Sequence, residues 1–268
     1  MERVRAVGLF DSGVGGLTVV NELYRELPLE STVCFGDSAH VPYGSRSAEE
    51  LIYLADKIVS FLIDQGVKYI IFACNTNSSL SLPILQKRYP IPMIGLVQPG
   101  AEWALQVSRN RRIGVIATEA TVQSASYESA IKAMDANTLV FSQAAPELVP
   151  LIEAGKIDTA ETRLAIKRYL ASLKKNGIDT LILGCSHYPF LSKIISEELG
   201  PEVALVDPAR ATVLEAKADL AARGLLNYFN GQKPQHQFYV SGDPASFQAG
   251  ASLFLGEALP GVVKVKLV

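Results

Sequence analysis

The chain has 268 residues, of which 49% are hydrophobic and 19% charged, with a net charge of −2. That balance supplies a substantial core for one large domain or two of ordinary size and disfavours extended disorder. With no block of basic residues, long-range attraction to nucleic acid or anionic lipid is not indicated. Met1-Glu-Arg-Val-Arg-Ala6 runs straight into an apolar strand without a signal-peptide layout, and no apolar stretch approaches the ~18 residues of a membrane span, so a soluble cytoplasmic protein is expected. Three cysteines, an odd number, point to reduced thiols and not a disulfide framework.

In chain order, Val4 to Phe10 reads as a strand, and Asp11-Ser12-Gly13-Val14-Gly15-Gly16 as a Gly-rich turn into a helix ending before Pro28. The turn lacks the Lys of a phosphate loop and the dinucleotide glycine spacing, and its Asp would repel phosphate, so a ligand-facing loop is favoured. Thr32 to Phe35 is a strand holding Cys34, read as core. The long loop Gly36 to Ser45 mixes donors with an aromatic ring, as functional loops do. Ser47 and Glu50 fit a capping box opening a helix to about Gln65. A strand ending at Cys74, a helix from about Ser79 to Arg88 and a Pro-bounded strand from Ile91 to Leu96 follow.

The pattern then begins again. Arg112 to Ala117 is a strand, Thr118 caps a helix to about Met134, and Thr138 to Ser142 is a strand. Helices over Glu147 to Ala154 and Asp158 to Lys175 lead to a strand ending at Cys185, a helix from Pro189 to about Leu199, and a strand from Val203 to Val206. Asp11 precedes Cys74 by 63 residues and Thr118 precedes Cys185 by 67, which suggests an internal duplication. After Asp207-Pro208 come an Ala-rich helix to about Gly224, a loop at Asn230-Gly-Gln-Lys-Pro-Gln, and two strands, Gln237 to Ser241 and Val262 to Leu267, around a helix near Ala245 to Leu255. This tail is too small to fold alone and is expected to pack on one half. Strands alternating with helices imply an α/β fold of largely parallel sheets.

Two stretches organise this plan: Tyr69-Ile-Ile-Phe-Ala-Cys74-Asn75-Thr76 and Thr180-Leu-Ile-Leu-Gly-Cys185-Ser186-His187. Each is an apolar run, read as a strand buried on both faces, that delivers a cysteine to the carboxyl edge where α/β sheets bind ligands. A thiol there, of ordinary pKa about 8.5, can be acidified by backbone N–H groups. Cys185 has His187 two residues on, but such residues diverge in an extended segment. A single nucleophile leaves the matched cysteine unused, and metal binding or a redox pair lacks the usual C-x-x-C spacing. Two structural cysteines are also possible, although the polar runs beside them suit a dry core poorly. The remaining reading uses both thiols: across a cleft between the halves, one removes a proton from a carbon while the other delivers one to the opposite face, which is racemisation or epimerisation.

These segments resemble the cofactor-independent glutamate racemases of the aspartate/glutamate racemase group over essentially the whole length. The resemblance is carried by Phe10-Asp11-Ser12-Gly13-Val14-Gly15-Gly16-Leu17, Pro42-Tyr43-Gly44, Ala73-Cys74-Asn75-Thr76, Ile113-Gly114-Val115 with Thr118 and Thr121, Val149-Pro150-Leu151-Ile152-Glu153, and Leu183-Gly184-Cys185-Ser186-His187-Tyr188-Pro189. Ser186 stands where the family usually has Thr, and Asn77 where a small residue is common. The resemblance implies two similar three-layer α/β/α domains, residues 1–98 with 208–268 and residues 99–207, with the active site in the cleft between them. It further implies interconversion of L- and D-glutamate for peptidoglycan without cofactor or metal, in a homodimer. Cys74 would take the α-proton of D-glutamate and Cys185 that of L-glutamate, with Asp11 and His187 assisting. Ser12, Tyr43, Gly44, Asn75, Thr76, Thr121, Ser186 and His187 would hold the substrate, with Asp11 beside them and Thr118 and Glu153 as further candidates. The chain lacks an extension ahead of its first strand, so activation by a cell-wall precursor is not expected. Aspartate racemisation, a thiol hydrolase or decarboxylase, and a two-lobed binding protein are the competing readings.

Overall fold

A computed structural model describes residues 5–228, 231, 233–255, 259 and 261–267. The expected strand start at Val4 and the loop positions Asn230 and Gln232 lie outside them. The first half runs β1 (Val7–Asp11), α1 (Leu17–Glu26), β2 (Thr32–Gly36), α2 (Ala48–Asp64), β3 (Tyr69–Phe72), α3 (Asn75–Leu80), α4 (Leu82–Arg88) and β4 (Met93–Gly95). After α5 (Val97–Val107), the second runs β5 (Arg112–Ala117), α6 (Glu119–Gln123), α7 (Ser126–Met134), β6 (Leu139–Ala144), α8 (Leu148–Glu153), α9 (Ala160–Lys175), β7 (Thr180–Gly184), α10 (Ser192–Leu199) and β8 (Ala204–Val206). The tail adds α11 (Pro208–Ala222), β9 (His236–Val240), α12 (Pro244–Leu255) and β10 (Val262–Lys264).

The strand orders are β10-β9-β2-β1-β3-β4 and β6-β5-β7-β8, every pairing parallel. Within this arrangement, β2-β1-β3-β4 and β6-β5-β7-β8 have the same order, the duplication read from the sequence. The tail adds to the first sheet through β9, whose Phe238 lies opposite Cys34 of β2. Cys34 is accordingly a core residue, its thiol pushed up to about 12 by burial.

Alternation along each strand fills both faces of both sheets. Val7 and Leu9 of β1 pack with α1 and α11, whereas Phe10 packs with α2. Leu181 and Leu183 of β7 face α9 and α10, whereas Ile182 faces α5 and α7. Side chains of period two buried on both sides are what a helix-covered parallel sheet requires. Among the described residues no helix is long and apolar enough to cross a membrane.

Helix boundaries follow local chemistry. Ser47 Oγ accepts the Glu50 N–H at 3.2 Å, the expected start of α2. The structure differs after Cys74, where helix begins at Asn75 and not near Ser79. Within that helix Ser78 Oγ and Ser79 Oγ turn back and donate to the carbonyls of Cys74 and Asn75, at 2.8 and 2.9 Å, which leaves neither hydroxyl unpaired. The expected single helix from Thr118 to Met134 is two, broken where Ala125 turns left-handed at φ 50°.

Ile182, fully buried in the middle of β7, gives a test of this core: Ile182→Ala is expected to lower unfolding stability by about 2–5 kcal/mol, read by urea denaturation. A change under about 0.5 kcal/mol, the range of ordinary surface substitutions, would mean the second sheet is not packed as described.

Candidate active site

Parallel strands put all their carboxyl ends on one edge, and the two edges face each other. From the first sheet the ends of β1, β2 and β3 carry Asp11, the loop to Tyr43 and Gly44, and Cys74. From the second, the ends of β5, β6 and β7 carry Thr118, Pro146 and Cys185. One cavity of about 50 Å³ is lined by both thiols with Ser12, Tyr43, Gly44, Asn75, Thr76, Thr118, Ser186 and His187. That is room for a few waters, and the thiols that line it, Cys74 and Cys185, are 4% and 6% exposed.

Hydrogen bonds sew the two edges together. Ser186 Oγ, beyond β7, donates to Asp11 Oδ2, at the end of β1, at 2.8 Å. A second tie starts from the other cysteine strand: Thr76 Oγ1, beyond β3, lies 3.0 Å from Thr118 Oγ1, beyond β5, and 3.3 Å from Thr121 Oγ1. Tyr127 adds a third tie, its hydroxyl donating to Asn75 Oδ1 at 2.6 Å. Asn75 Nδ2 is buried with no partner among the described residues, leaving one amide donor for a ligand.

The two thiols have different neighbours. After Gly184 the chain turns, with His187 at φ −81° and ψ −27°, so the divergence expected of an extended i, i+2 pair does not occur. Cys185 Sγ is 3.8 Å from His187 Nδ1, and His187 Nε2 is 2.6 Å from Glu153 Oε1. Burial opposes charge on His187, but its bonds to Cys185 and Glu153 outweigh that and hold the imidazolium well above the usual range. Glu153 is held below its usual range: burial acts to raise it, and the His187 hydrogen bond and charge overcome this. Cys74 is pushed up by burial and by the Asp11 charge, against the N–H groups of Asn77 and Thr76. Asp11 is raised by burial in spite of His187, Gly13 and Ser186.

Of the residues singled out in the sequence, Asp11, Thr121 and Glu153 stand behind the cavity wall, holding Ser186, Thr76 and His187, and the others line it. Pro42, Ser45, Glu119, Pro146 and Val149 also line it without having been singled out for the site. The duplication could have pointed to Pro146 and Val149, because the segment after β6 is the counterpart of the loop after β2. Asp37 is a further omission: fully buried, it accepts the Tyr43 hydroxyl, meets His40 Nδ1 at 2.7 Å and accepts Ser241 Oγ from the tail at 2.6 Å. Gly15 was named only as part of a turn. A Cβ there would sit 2.5 Å from His187 Nδ1 and 2.6 Å from Ser186 Oγ, so only glycine lets the turn close on the Cys185 edge. No group of three or more His, Cys, Asp or Glu among the described residues is placed to hold a metal.

The His187–Glu153 pair has a definite pH signature. A raised histidine contributes stability present below its unfolded pKa and lost as pH rises through the folded value; a lowered glutamate contributes stability present above its unfolded pKa and lost as pH falls through the folded value. Both contributions therefore coexist between the ordinary values of 4.5 and 6.5. Glu153→Gln should cost roughly 1–3 kcal/mol in that window, with the deficit shrinking at alkaline pH, read from urea unfolding across pH. A deficit independent of pH would contradict the charged pair.

Comparison with known proteins agrees with this geometry. A model of the Asp/Glu/Hydantoin racemase family matches residues 15–216. The glutamate racemase of Desulforudis audaxviator is 50% identical over 271 residues, covering 98% of each chain, and that of Neisseria meningitidis is 44% identical over 266 residues, covering 99% of this chain and 98% of the relative. Among solved structures, a glutamate racemase from Bacillus anthracis matches with a TM-score of 0.94 at 40% identity over 98% of both chains. One from Francisella tularensis in complex with D-glutamate matches at 0.92 and 36% identity over 99% of this chain and 98% of the other. With its paired sheets, facing thiols and full-length relatives in agreement, the chain belongs to the Asp/Glu/hydantoin racemase family.

Proposed function

We propose that this chain interconverts L- and D-glutamate by two-base proton transfer between Cys74 and Cys185, with no step requiring a cofactor. The observation that carries the reading is that two buried thiols from matched strand ends line one cavity. Its relatives are glutamate racemases, and one holds D-glutamate, which favours glutamate over aspartate.

In this scheme Cys185 takes the α-proton of L-glutamate and Cys74 protonates the other face; from D-glutamate the roles reverse. Burial and the Asp11 charge favour the protonated form of Cys74, so the donor for reaction from L-glutamate is in place before substrate arrives. His187, 3.8 Å from Cys185, exchanges protons with that sulfur, and Asp11 does the equivalent service for Cys74. Ser12, Tyr43, Gly44, Asn75, Thr76, Ser186 and His187 offer neutral or cationic donors to the two carboxylates, with Thr118 and, behind it, Thr121 completing the threonine cluster around Thr76. Such donors gain strength in a closed, water-poor site as charge builds on the α-carboxylate. The unpartnered Asn75 amide is the clearest of these anchors.

The same reading divides the chain into residues 1–98 with 208–268 and residues 99–207, each bearing one thiol. A cytoplasmic homodimer supplying D-glutamate for peptidoglycan rests on the family resemblance alone.

Single replacements test the two-base assignment. Cys74→Ser and Cys185→Ser are each expected to lower kcat for glutamate racemisation roughly 10²–10⁴-fold, the contribution of a positioned acid or base, measured by circular dichroism from either enantiomer. Either variant keeping near-native turnover would leave a one-cysteine enzyme. The wild-type rate should rise and then fall with pH, because one thiol must be ionised while its partner is protonated; a rate still climbing beyond both thiol titrations would argue against the pair.

A further inference from the structure

In the proposed scheme Asn75 holds a carboxylate through an amide donor that the fold leaves unused, and that works only if the amide sits one way round. A side-chain amide rotated by half a turn presents its carbonyl in place of its N–H₂, and a carbonyl facing a carboxylate repels it. The tie that settles the orientation comes from the other half of the molecule. Tyr127 donates its hydroxyl to Asn75 Oδ1 at 2.6 Å, and Nδ2 is the end left buried and unpaired beside the cavity that Asn75 lines. A phenol carries a single hydrogen, and Asn75 is its one acceptor among the described residues. The reverse arrangement, with Nδ2 donating to the phenol oxygen, would strand that hydrogen in a place where Tyr127 is only 2% exposed.

The hydroxyl is itself held in place. Tyr127 stands in the first turn of α7, just past the left-handed Ala125, and packs with Ala101, Ala104 and Ile131. A Cβ on Gly100 would lie 3.4 Å from Tyr127 Cε1 and 2.9 Å from Pro208. Gly100 belongs to α5, which leads from the first sheet to the second, and Pro208 opens α11, which leads back. The ring is therefore lodged where the two connections between the sheets touch.

We infer that Tyr127 is a positioning residue for substrate binding: its hydroxyl, fixed by the second half, sets the Asn75 amide of the first half with its N–H₂ toward the substrate. Tyr127 touches no substrate and exchanges no proton. Burial, with the charges of Asp207 and Cys185, holds the phenol well above its usual range, so it stays a donor at physiological pH. The inference rests on the reading of Asn75 as a carboxylate anchor in glutamate racemisation.

A double-mutant cycle separates orientation from packing. kcat and KM for L-glutamate are measured by circular dichroism for wild type, Tyr127→Phe, Asn75→Ala and the double variant. Tyr127→Phe keeps the ring and removes only the hydroxyl. It is expected to lower kcat/KM roughly 5- to 10-fold, the worth of one hydrogen bond between neutral groups, chiefly through KM, because the carboxylate is charged before reaction begins. With Asn75→Ala in place there is no amide to orient, and the same change should alter kcat/KM less than about twofold. Where Asn75→Ala turns over too slowly to follow, dissociation constants for D-glutamate from isothermal titration calorimetry complete the same cycle. Tyr127→Phe within about twofold of wild type, or losing the same factor in both backgrounds as a hydroxyl that serves packing alone would, overturns the inference. Failure of wild type to racemise glutamate would instead sink the reading beneath it, and is seen before any variant is made.

Discussion

The structure depends on two parallel sheets ending against each other. Parallel pairing gathers the carboxyl ends of all strands on one edge, where loops and helix starts leave donors unpaired. Setting two such edges face to face buries both, and each polar group there has to find a partner or a ligand. Ser186 on Asp11 and Thr76 on Thr118 are the ties that result, each joining a cysteine strand of one half to the opening strand of the other. Because these bonds are shielded from water, losing one member leaves its partner buried and unsatisfied, at about 1–3 kcal/mol. The same shielding makes the thiols chemically useful.

Duplication supplied the symmetry, and substitution then removed part of it. The positions two residues beyond the cysteines are Thr76 in one half and His187 in the other; the last residues of the opening strands are Asp11 and Ala117. One thiol therefore lies near a buried carboxylate and the other beside an imidazole backed by Glu153. The proposed reaction, run in both directions across an asymmetric carbon, does not need equal surroundings for its two bases. It needs their protonation states to be opposite at the moment of reaction, and an acid-flanked thiol opposite an imidazole-flanked one biases the pair toward that condition.

Much of this was legible in the sequence because it lies in short, strongly patterned segments. Apolar runs ending in Cys74 and Cys185, each preceded by a Gly-containing turn, read as buried strands, and their similar spacing from Asp11 and Thr118 suggested the repeat. What escaped was chemistry that exists only across the fold. Asp37 sits in a polar loop like any other until Tyr43, His40 and Ser241, more than two hundred residues away, converge on it. The contact between Cys185 and His187 depends on the chain turning directly after the strand, where an extended segment would have parted the two side chains. Asn75 to Ser79 reads as loop on propensity, yet its serines bond back to the helix carbonyls and the helix starts at once. Only for Asp37 is the missing partner distant in the chain; for His187 and for Asn75 to Ser79 it is the local course of the backbone.

The central claim is that two opposed bases act on one carbon, and the most direct measurement follows the α-hydrogen by proton NMR during early turnover in heavy water, with chelator present and no added cofactor. Starting from L-glutamate, D-glutamate should appear deuterated at the α-carbon while unreacted L-glutamate keeps its proton, and the mirror result should hold from D-glutamate. Deuterium entering the remaining substrate as fast as the product would mean a single base serving both faces, and the absence of any exchange from either enantiomer would remove glutamate as the substrate.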